Sequence, residues 1–397
     1  MKSVKEKLDP DGNTSLCLIS FVGTIGLSAL MILPILVGAY VDYLGFAEDT
    51  AGWISAANLA GIAVMTLIVS LKTKHWPLAK IAGYGLAVMI LFDILTLYFH
   101  SLATFTALRF VSGLGGGAAQ AAVAAAIARL LHSDKGFGIY IAFQFLLPAI
   151  GLYAFPALLP EIGFNGMIEI LIGLEITALL MVPVLANYKL PKPGRRDAEA
   201  DSDVFEIGLI LQKPAMLSII GLCVYGAANA AIWAYADRMG IGAGLSNEGT
   251  GNVLSAVTAL SVLGAMLVIW LQDRWGHIRP LSAGIAAQIA AMLVLITFTS
   301  PSGYALGIGL YSVAWAFTWP YFLSIQADID HTGTVVVAGQ FSNLVGNSIG
   351  PAMAAFLVGG GAYVPAIWMA CGLFVASLLP MLAIYRMAVL PTSARTA

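Results

Sequence analysis

An arginine and a few carboxylates interrupt apolar stretches of the chain, and these residues are the best candidates for chemistry. Arg109 shares one face of a predicted helix with small and polar residues: Gly113, Gly116 and Gln120. These positions fall within about 40° of one another at 100° per residue. A charged side chain in such a stretch costs at least ~2.5 kcal/mol to bury on insertion scales, so it normally faces a partner or water. The pattern predicts a role for Arg109 in binding or charge coupling, and the alternative is a purely structural ion pair.

Three acids are possible partners for Arg109: Asp93, Glu169 and Glu175. At 1.5 Å per residue, Asp93 and Arg109 lie about 9 and 10 Å from the same ends of consecutive predicted spans. We therefore expect these two residues to pair. Glu175 lies roughly 15 Å deep, where a carboxylate could load and release a proton. The sequence predicts proton coupling by this arginine and the two deep acids, unless Glu175 is a permanently neutral or hydrogen-bonded acid.

Two stripes of side chains lie on consecutive predicted helices. An aromatic stripe about 80° wide contains Tyr311, Trp315, Trp319 and Phe322. A polar stripe about 60° wide contains Gln340, Asn343 and Asn347. Aromatic planes with a few amides suit the stacking and orientation of an apolar or aromatic small molecule. We expect both stripes to line a substrate cavity together with Arg109, Gln120 and Gln144. The alternative is interhelical packing with amide hydrogen bonds.

The composition identifies the elements that must position these residues. Hydrophobic residues make up 59% of the 397 residues and charged residues 10%, whereas soluble domains carry about 25% charge. The chain is therefore predicted to be an all-α protein embedded in a lipid bilayer. Apolar runs of 18 or more residues predict twelve spans, at about 15–43, 51–71, 79–99, 102–131, 137–159, 165–186, 214–236, 250–271, 281–299, 303–326, 334–358 and 363–387.

An internal repeat divides these spans into two pseudo-symmetric six-helix halves. AYVDYLG at 39–45 returns as AYADRMG at 234–240, and internal repeats in transporter folds usually meet at a central site. The halves are predicted at 1–186 and 214–397, joined by a polar linker at 187–213. The repeated acids, Asp42 and Asp237, are interpreted as helix-end or loop caps.

The distribution of basic residues predicts the orientation. If the loops alternate between the two sides, all of the 19 Lys and Arg residues except Arg109 and Arg238 lie on one side, which the positive-inside rule makes cytoplasmic. The sequence therefore predicts a multi-pass protein of a bacterial-type inner (plasma) membrane, with both termini in the cytoplasm. The net charge of −2 argues against nucleic-acid binding, and we expect a monomer.

Motifs typical of enzymes do not occur in the sequence. It contains no zinc spacing, no HExxH, no GxSxG and no cysteine and histidine pairing that would form a catalytic site. The three cysteines are interpreted as core residues. We predict neither enzymatic activity nor a cofactor or metal.

Three local patterns resemble the major facilitator superfamily, and within it the twelve-span drug:proton antiporters. These patterns are the loop LQDRWGHIR at 271–279, RFVSGLGGG at 109–117 and GNSIGP at 346–351. The resemblance implies the major facilitator fold. It also implies a gating loop made by Asp273, Arg274, Gly276 and Arg279.

The chain departs from the family pattern at several positions. The matching loop of the first half has Thr73 where the family has an acid, and Trp76 where it has glycine. Leu147 precedes Pro148 where the antiporter signature has glycine. The family's spans 3 and 6 also resemble scaffold helices, which argues against coupling at Glu175.

These features predict a secondary active transporter that moves a small organic solute by alternating access. We expect proton-coupled efflux of a neutral or anionic/aromatic compound, because the predicted cavity lacks a mid-depth carboxylate on spans 1, 4, 7 and 10 and Arg109 suits an anion. One alternative is a proton-driven uptake symporter for an organic acid or aromatic compound. Alternatives of other classes are a non-transporting membrane sensor or assembly factor and an intramembrane enzyme.

Overall fold

A computed structural model of the chain describes residues 9–72, 76–130, 133–188, 207–271, 274–330, 334–358 and 362–393. Fifteen α-helices lie in these ranges: α1 Asn13–Gly26, α2 Ser28–Met31, α3 Leu33–Asp42, α4 Glu48–Lys72, α5 Leu78–Thr96, α6 Leu102–Ala128, α7 Ser133–Met181, α8 Ile207–Ile210, α9 Lys213–Ala234, α10 Ala236–Gly242, α11 Asn247–Leu271, α12 Ile278–Thr297, α13 Pro301–Ile329, α14 Thr334–Ala355 and α15 Val364–Ser393. A 3₁₀ helix, Val182–Asn187, follows α7. The prediction of an all-α fold is confirmed.

The lengths of the helices are consistent with twelve spans. Among the described residues, eight helical segments are long and apolar enough to cross a membrane. One of these, Lys135–Asn187, has 53 residues, enough for two crossings at about 20 residues each. The first predicted span is a broken helix, α1 to α3, because residues 27 and 32 leave helical geometry. The predicted tenth and eleventh spans correspond to α13 and α14.

The predicted break between the fifth and sixth spans occurs at a single residue. Gly163 has φ 64° and ψ −172° inside α7. Glycine reaches this region without steric cost, since it lacks a Cβ. A tight turn thus replaces the loop predicted there.

The first of two compact units contains the described residues within 1–32, 57–148 and 158–204. Here α6 packs against α1 and α5. Apolar side chains from these helices fill the core, including Leu16, Ile19, Val22, Leu86 and Ala122. Small residues on α6 let its neighbours approach closely, and this packing determines where Arg109 can point.

The second unit contains the described residues within 33–56, 149–157 and 205–397. Its helices α9 and α14 lie along each other, and α13 packs against α11 and α12. The unit also contains α3 and the first residues of α4, which belong to the first half of the sequence. The boundaries between the two predicted halves and the linker, at 186/187 and 213/214, stay a prediction.

Candidate functional site

The arginine and the nearest predicted acid form an ion pair in the core of the first unit. Arg109 Nη1 on α6 lies 2.7 Å from Asp93 Oδ1 on α5, and each side chain is 2% exposed. The predicted pairing of these two residues is confirmed. Because both side chains are buried, Arg109 contacts Asp93 rather than an open cavity. Glu169, the other acid considered as a partner, is exposed on α7.

The second deep acid, Glu175, completes a buried triad with this pair. Glu175 on α7 is 1% exposed, and its carboxyl group lies close enough to Asp93 and Arg109 to interact with the charges of both. Neither Glu175 oxygen receives a hydrogen bond from an N–H or hydroxyl donor among the described residues. The triad therefore places two acids beside one guanidinium, and its charges balance when the acids carry one proton between them.

Polar backbone contacts fix the helices around the triad. Asn58 Nδ2 on α4 donates to the carbonyl oxygen of Arg109 at 2.6 Å. A Cβ at Gly113 would collide with the carbonyl oxygen of Asn58, so glycine at this position lets α4 and α6 touch. The rings of Phe105 and Phe164, 5.9 Å apart, pack between α6 and α7. These contacts keep water away from the charges.

A second polar group lies farther along α6 in the first unit. Gln120 and Gln144 are half-buried, and both side chains lie beside the buried hydroxyl of Tyr140. The hydroxyl of Thr66 also lies 3.3 Å from Gln120 Oε1. The two predicted cavity glutamines are thus brought together, and Tyr140 is an addition that the sequence did not reveal.

The predicted aromatic stripe on α13 divides between two environments. Tyr311 and Phe322 are buried, whereas Trp315 and Trp319 are half-buried. The Tyr311 hydroxyl donates to the carbonyl oxygen of Asn229 on α9 at 3.0 Å. Tyr311 therefore joins helices, and the two tryptophans remain more accessible.

Sequence reasoning missed an amide network beside Tyr311. Gln288 Nε2 on α12 donates to Asn229 Oδ1 at 2.9 Å, and Asn229 Nδ2 donates to the carbonyl oxygen of Tyr225 at 2.8 Å. Both amides lie within apolar spans, and this was the signal available in the sequence. The network ties α9 to α12 and α13.

The predicted amide stripe on α14 also contains residues of different exposure. Asn343 is buried, and its Nδ2 lies 3.5 Å from the carbonyl oxygen of Leu222 on α9. Asn347 Nδ2 donates to Asn343 Oδ1 at 3.2 Å. Asn343 thus makes the interhelical contacts of the packing alternative, whereas Asn347 is half-buried and Gln340 is exposed.

The predicted gating loop is only partly described. Asp273 lies outside the described residues, as does Thr73 in the matching loop. Arg274 and Arg279 are exposed, and Gly276 has φ 63°. Beside them, His277 Nδ1 lies 2.7 Å from Asp328 Oδ2.

The interpretation of Asp42 and Asp237 as caps is wrong. Both carboxylates bind the guanidinium of Arg238, at 2.6 and 3.0 Å from its Nη2. Asp42 ends α3 and is separated from Arg238 by 196 positions in sequence. Sequence alone did not suggest this contact, because the two residues approach only through the tertiary fold.

The comparisons with known proteins agree with this architecture. The nucleoside transporter NupG superposes with a TM-score of 0.70 and 11% identity, over 94% of this chain and 98% of that chain. The POT family transporter PepTSo superposes with a TM-score of 0.72 and 12% identity, over 96% of this chain and 98% of that chain. A bacterial homolog of the human lysosomal transporter Spinster, in an inward-facing and unoccupied conformation, superposes with a TM-score of 0.65 and 12% identity, over 94% of each chain. At these identities the likeness shows a shared fold.

The sequence comparisons identify the family. No curated protein sequence matches the chain. The model of the Major Facilitator Superfamily matches residues 16–351. Since this match covers most of the chain, the protein belongs to the major facilitator superfamily of membrane transporters.

Proposed function

We propose that the protein is a secondary active transporter that exports a neutral or anionic/aromatic organic solute in exchange for protons, as in the drug:proton antiporter branch. The observation that carries this proposal is the buried triad of Arg109, Asp93 and Glu175, in which two acids lie beside one guanidinium. The transporter works as a monomer in a bacterial-type inner membrane, with its basic side and both termini in the cytoplasm.

The charge balance of the triad explains how a proton would control the conformation. With one proton the triad is neutral, so the closed and water-free packing around it is stable. Loss of the proton leaves one uncompensated negative charge, which is costly to keep in an apolar interior. Deprotonation therefore favours a state in which water or a second partner reaches the acids. This dependence links proton release to a conformational change.

The solute contacts proposed for the cavity come from the more accessible residues of each unit. Gln120 and Gln144 supply amides in the first unit, and Trp315, Trp319 and Asn347 supply aromatic planes and an amide in the second. None of these side chains is acidic, which favours a neutral or anionic solute over a cation. Stacking against tryptophan suits an aromatic compound.

Reconstituted proteoliposomes test the proposal directly. A panel of organic compounds is offered with and without an imposed pH gradient, and accumulation driven by that gradient is expected. Movement of solute against the proton flow indicates antiport, and movement with it indicates the uptake symporter, which could use the same triad. If no compound in a broad panel moves, a sensor or assembly role replaces transport.

Substitution of Glu175 tests the proton site itself. Glu175→Gln keeps the shape but cannot exchange a proton, so we expect solute exchange to continue down its own gradient while the response to pH is lost. Glu169→Gln is the matched control, since Glu169 is an exposed acid on the same helix. An unaltered pH response in Glu175→Gln would exclude the triad as the coupling site.

A further inference from the structure

A group of neutral polar side chains lies in the first unit, on α6 and α7. Gln144 follows Tyr140 by four positions on α7, so both side chains leave the same face of that helix. The hydroxyl of Tyr140 lies beside the side chains of Gln144 and of Gln120, which belongs to α6. Two amides and one hydroxyl from two helices thus meet within a single compact unit.

The most deeply buried member of this group is Tyr140. Its side chain is 4% exposed, and its hydroxyl makes no hydrogen bond with any residue that the structure describes. The ring packs closely on α1, because a Cβ at Gly23 would lie 2.9 Å from the Cε2 atom of Tyr140. A buried hydroxyl without a partner costs free energy, so it marks a place where another molecule can supply the missing hydrogen bond.

The amide of Gln120 is oriented by a residue of α4. The Thr66 hydroxyl donates to Gln120 Oε1 at 3.3 Å. With its oxygen bonded to Thr66, Gln120 turns the N–H groups of Nε2 toward other acceptors. Gln120 and Gln144 are both half-buried, so a small molecule can reach their amides from outside the unit.

The polar side chains that the structure places in this group are all neutral. Arg109, the charge that favoured an anionic solute in the sequence, lies eleven positions before Gln120, which is about 16 Å along the helix axis. Its guanidinium is buried against Asp93 at 2.7 Å. A charged solute at the glutamines would lose its hydration without gaining a counter-charge, which costs far more than burying a neutral amide. The group therefore favours a neutral solute.

We propose that Tyr140, Gln120 and Gln144 bind the amide group of a neutral carboxamide or lactam solute. The carbonyl oxygen of the solute accepts from the Tyr140 hydroxyl and from Gln120 Nε2, and the adjacent N–H donates to Gln144 Oε1. An amide offers this acceptor and donor side by side, whereas a carboxylate or an ether only accepts. The inference rests on the proposed transport of an organic solute and narrows its class from neutral or anionic to neutral.

Equilibrium dialysis with the purified full-length protein in detergent tests the amide site. Three aromatic probes have nearly the same shape and differ in charge at neutral pH: naphthamide is neutral, naphthoate is an anion and naphthamidine is a cation. We expect naphthamide to bind at least about tenfold more tightly than either charged probe. Acetonaphthone has a methyl group in place of the amide NH₂, and it should bind about tenfold more weakly than naphthamide.

Tyr140→Phe separates binding from folding. The substitution removes only the hydroxyl and keeps the ring that packs against Gly23. Because this hydroxyl has no partner among the described residues, the melting temperature of the ligand-free variant should be unchanged or higher. Its affinity for naphthamide should nevertheless fall about tenfold. Tyr153→Phe is the matched control, since Tyr153 is an exposed tyrosine on the same helix, and it should change neither value.

Gln144→Glu should produce a change in selectivity that a structural role would not explain. A carboxylate at this position accepts hydrogen bonds and carries a negative charge, so it forms a charge-assisted contact with an amidinium. The ratio of the naphthamidine affinity to the naphthamide affinity should therefore rise about tenfold relative to the unmodified protein.

The results separate the amide site from the proposed function, because binding in detergent requires neither a proton gradient nor transport. Equal affinity of the unmodified protein and Tyr140→Phe for naphthamide would overturn the site. Absence of naphthamide binding, or tighter binding of naphthoate, would also overturn it, even if other compounds are transported. Naphthamide binding with the expected variant effects, but without transport of any compound, would support the site while removing the proposed transport.

Discussion

At the residue scale, the triad shows which contacts can be predicted from depth along a span. Asp93 and Arg109 were matched because they lie at similar depths on consecutive helices, and the structure places them 2.7 Å apart. Hydrogen bonds among amides are harder to foresee. Asn229 and Gln288 pair at 2.9 Å, but an amide in a span has the same sequence signature whether it packs, binds solute or faces a neighbour.

Substitution of Arg109 tests its role within the triad. Arg109→Ala leaves Asp93 and Glu175 without a counter-charge, so we expect loss of proton-driven transport while the protein remains inserted. Arg109→Lys should restore activity poorly, because a point charge replaces a planar fork. Transport is measured in proteoliposomes and insertion by detergent extraction and size-exclusion chromatography. Normal transport by Arg109→Ala would remove the coupling role, and loss of inserted protein would assign the residue to structure.

The two half-buried tryptophans carry the prediction about solute binding. Trp315→Ala or Trp319→Ala should weaken solute affinity by about 1–2 kcal/mol, roughly tenfold, if a stacking contact is lost. Phe322→Leu is a control, because Phe322 is buried against Tyr225, with ring centroids 4.6 Å apart. Affinity is read from the half-saturation concentration. Unchanged values in both tryptophan variants would show that the stripe is packing.

At the element scale, periodicity predicts spacing along a helix but does not determine how the helix is rotated. The stripe on α13 was predicted to face one cavity, yet Tyr311 is buried and Trp315 is half-buried. Helix positions were predicted well because long apolar runs leave few alternatives. Long-range contacts were not predicted, since contacting residues such as Asp42 and Arg238 are 196 positions apart in the sequence. The gating role of Asp273 stays a prediction.

Close packing of α6 on α4 gives a stability prediction. Gly113→Ala places a Cβ against the carbonyl oxygen of Asn58, so the helices must separate and the bond from Asn58 to the Arg109 carbonyl oxygen weakens. We expect a loss of about 1–3 kcal/mol, seen as a lower melting temperature in detergent.

The matched control for this substitution lies in the same unit. A Cβ at Gly138 on α7 would meet no atom within 4 Å, and alanine favours a helix over glycine by about 0.5–1 kcal/mol. Gly138→Ala should therefore be neutral or stabilising. An equal loss of stability in both variants would show that the cost comes from glycine replacement in general rather than from the contact with Asn58.

At the scale of the whole molecule, the triad is the proton site of the proposed transport cycle. The triad is buried among α5, α6 and α7 in the first unit, and we propose that one proton on its two acids balances the guanidinium of Arg109. This triad is proposed to carry one proton across the membrane in each cycle. The transport cycle should therefore move one proton for each solute molecule.

This stoichiometry predicts that transport depends on membrane voltage. One proton entering in exchange for a neutral solute moves one net charge, and a potential of 100 mV is worth about 2.3 kcal/mol per charge. The solute ratio at equilibrium should then change about 50-fold per 100 mV. Exchange of one entering proton for one departing monovalent anion moves two charges, so the fold-change in the solute ratio should be about the square of the value for a neutral solute. Potassium diffusion potentials across proteoliposomes, at equal pH on both sides, provide the measurement. A solute ratio that does not respond to voltage would exclude one-for-one exchange with a neutral or anionic compound, and Glu175→Gln should show no proton-dependent component.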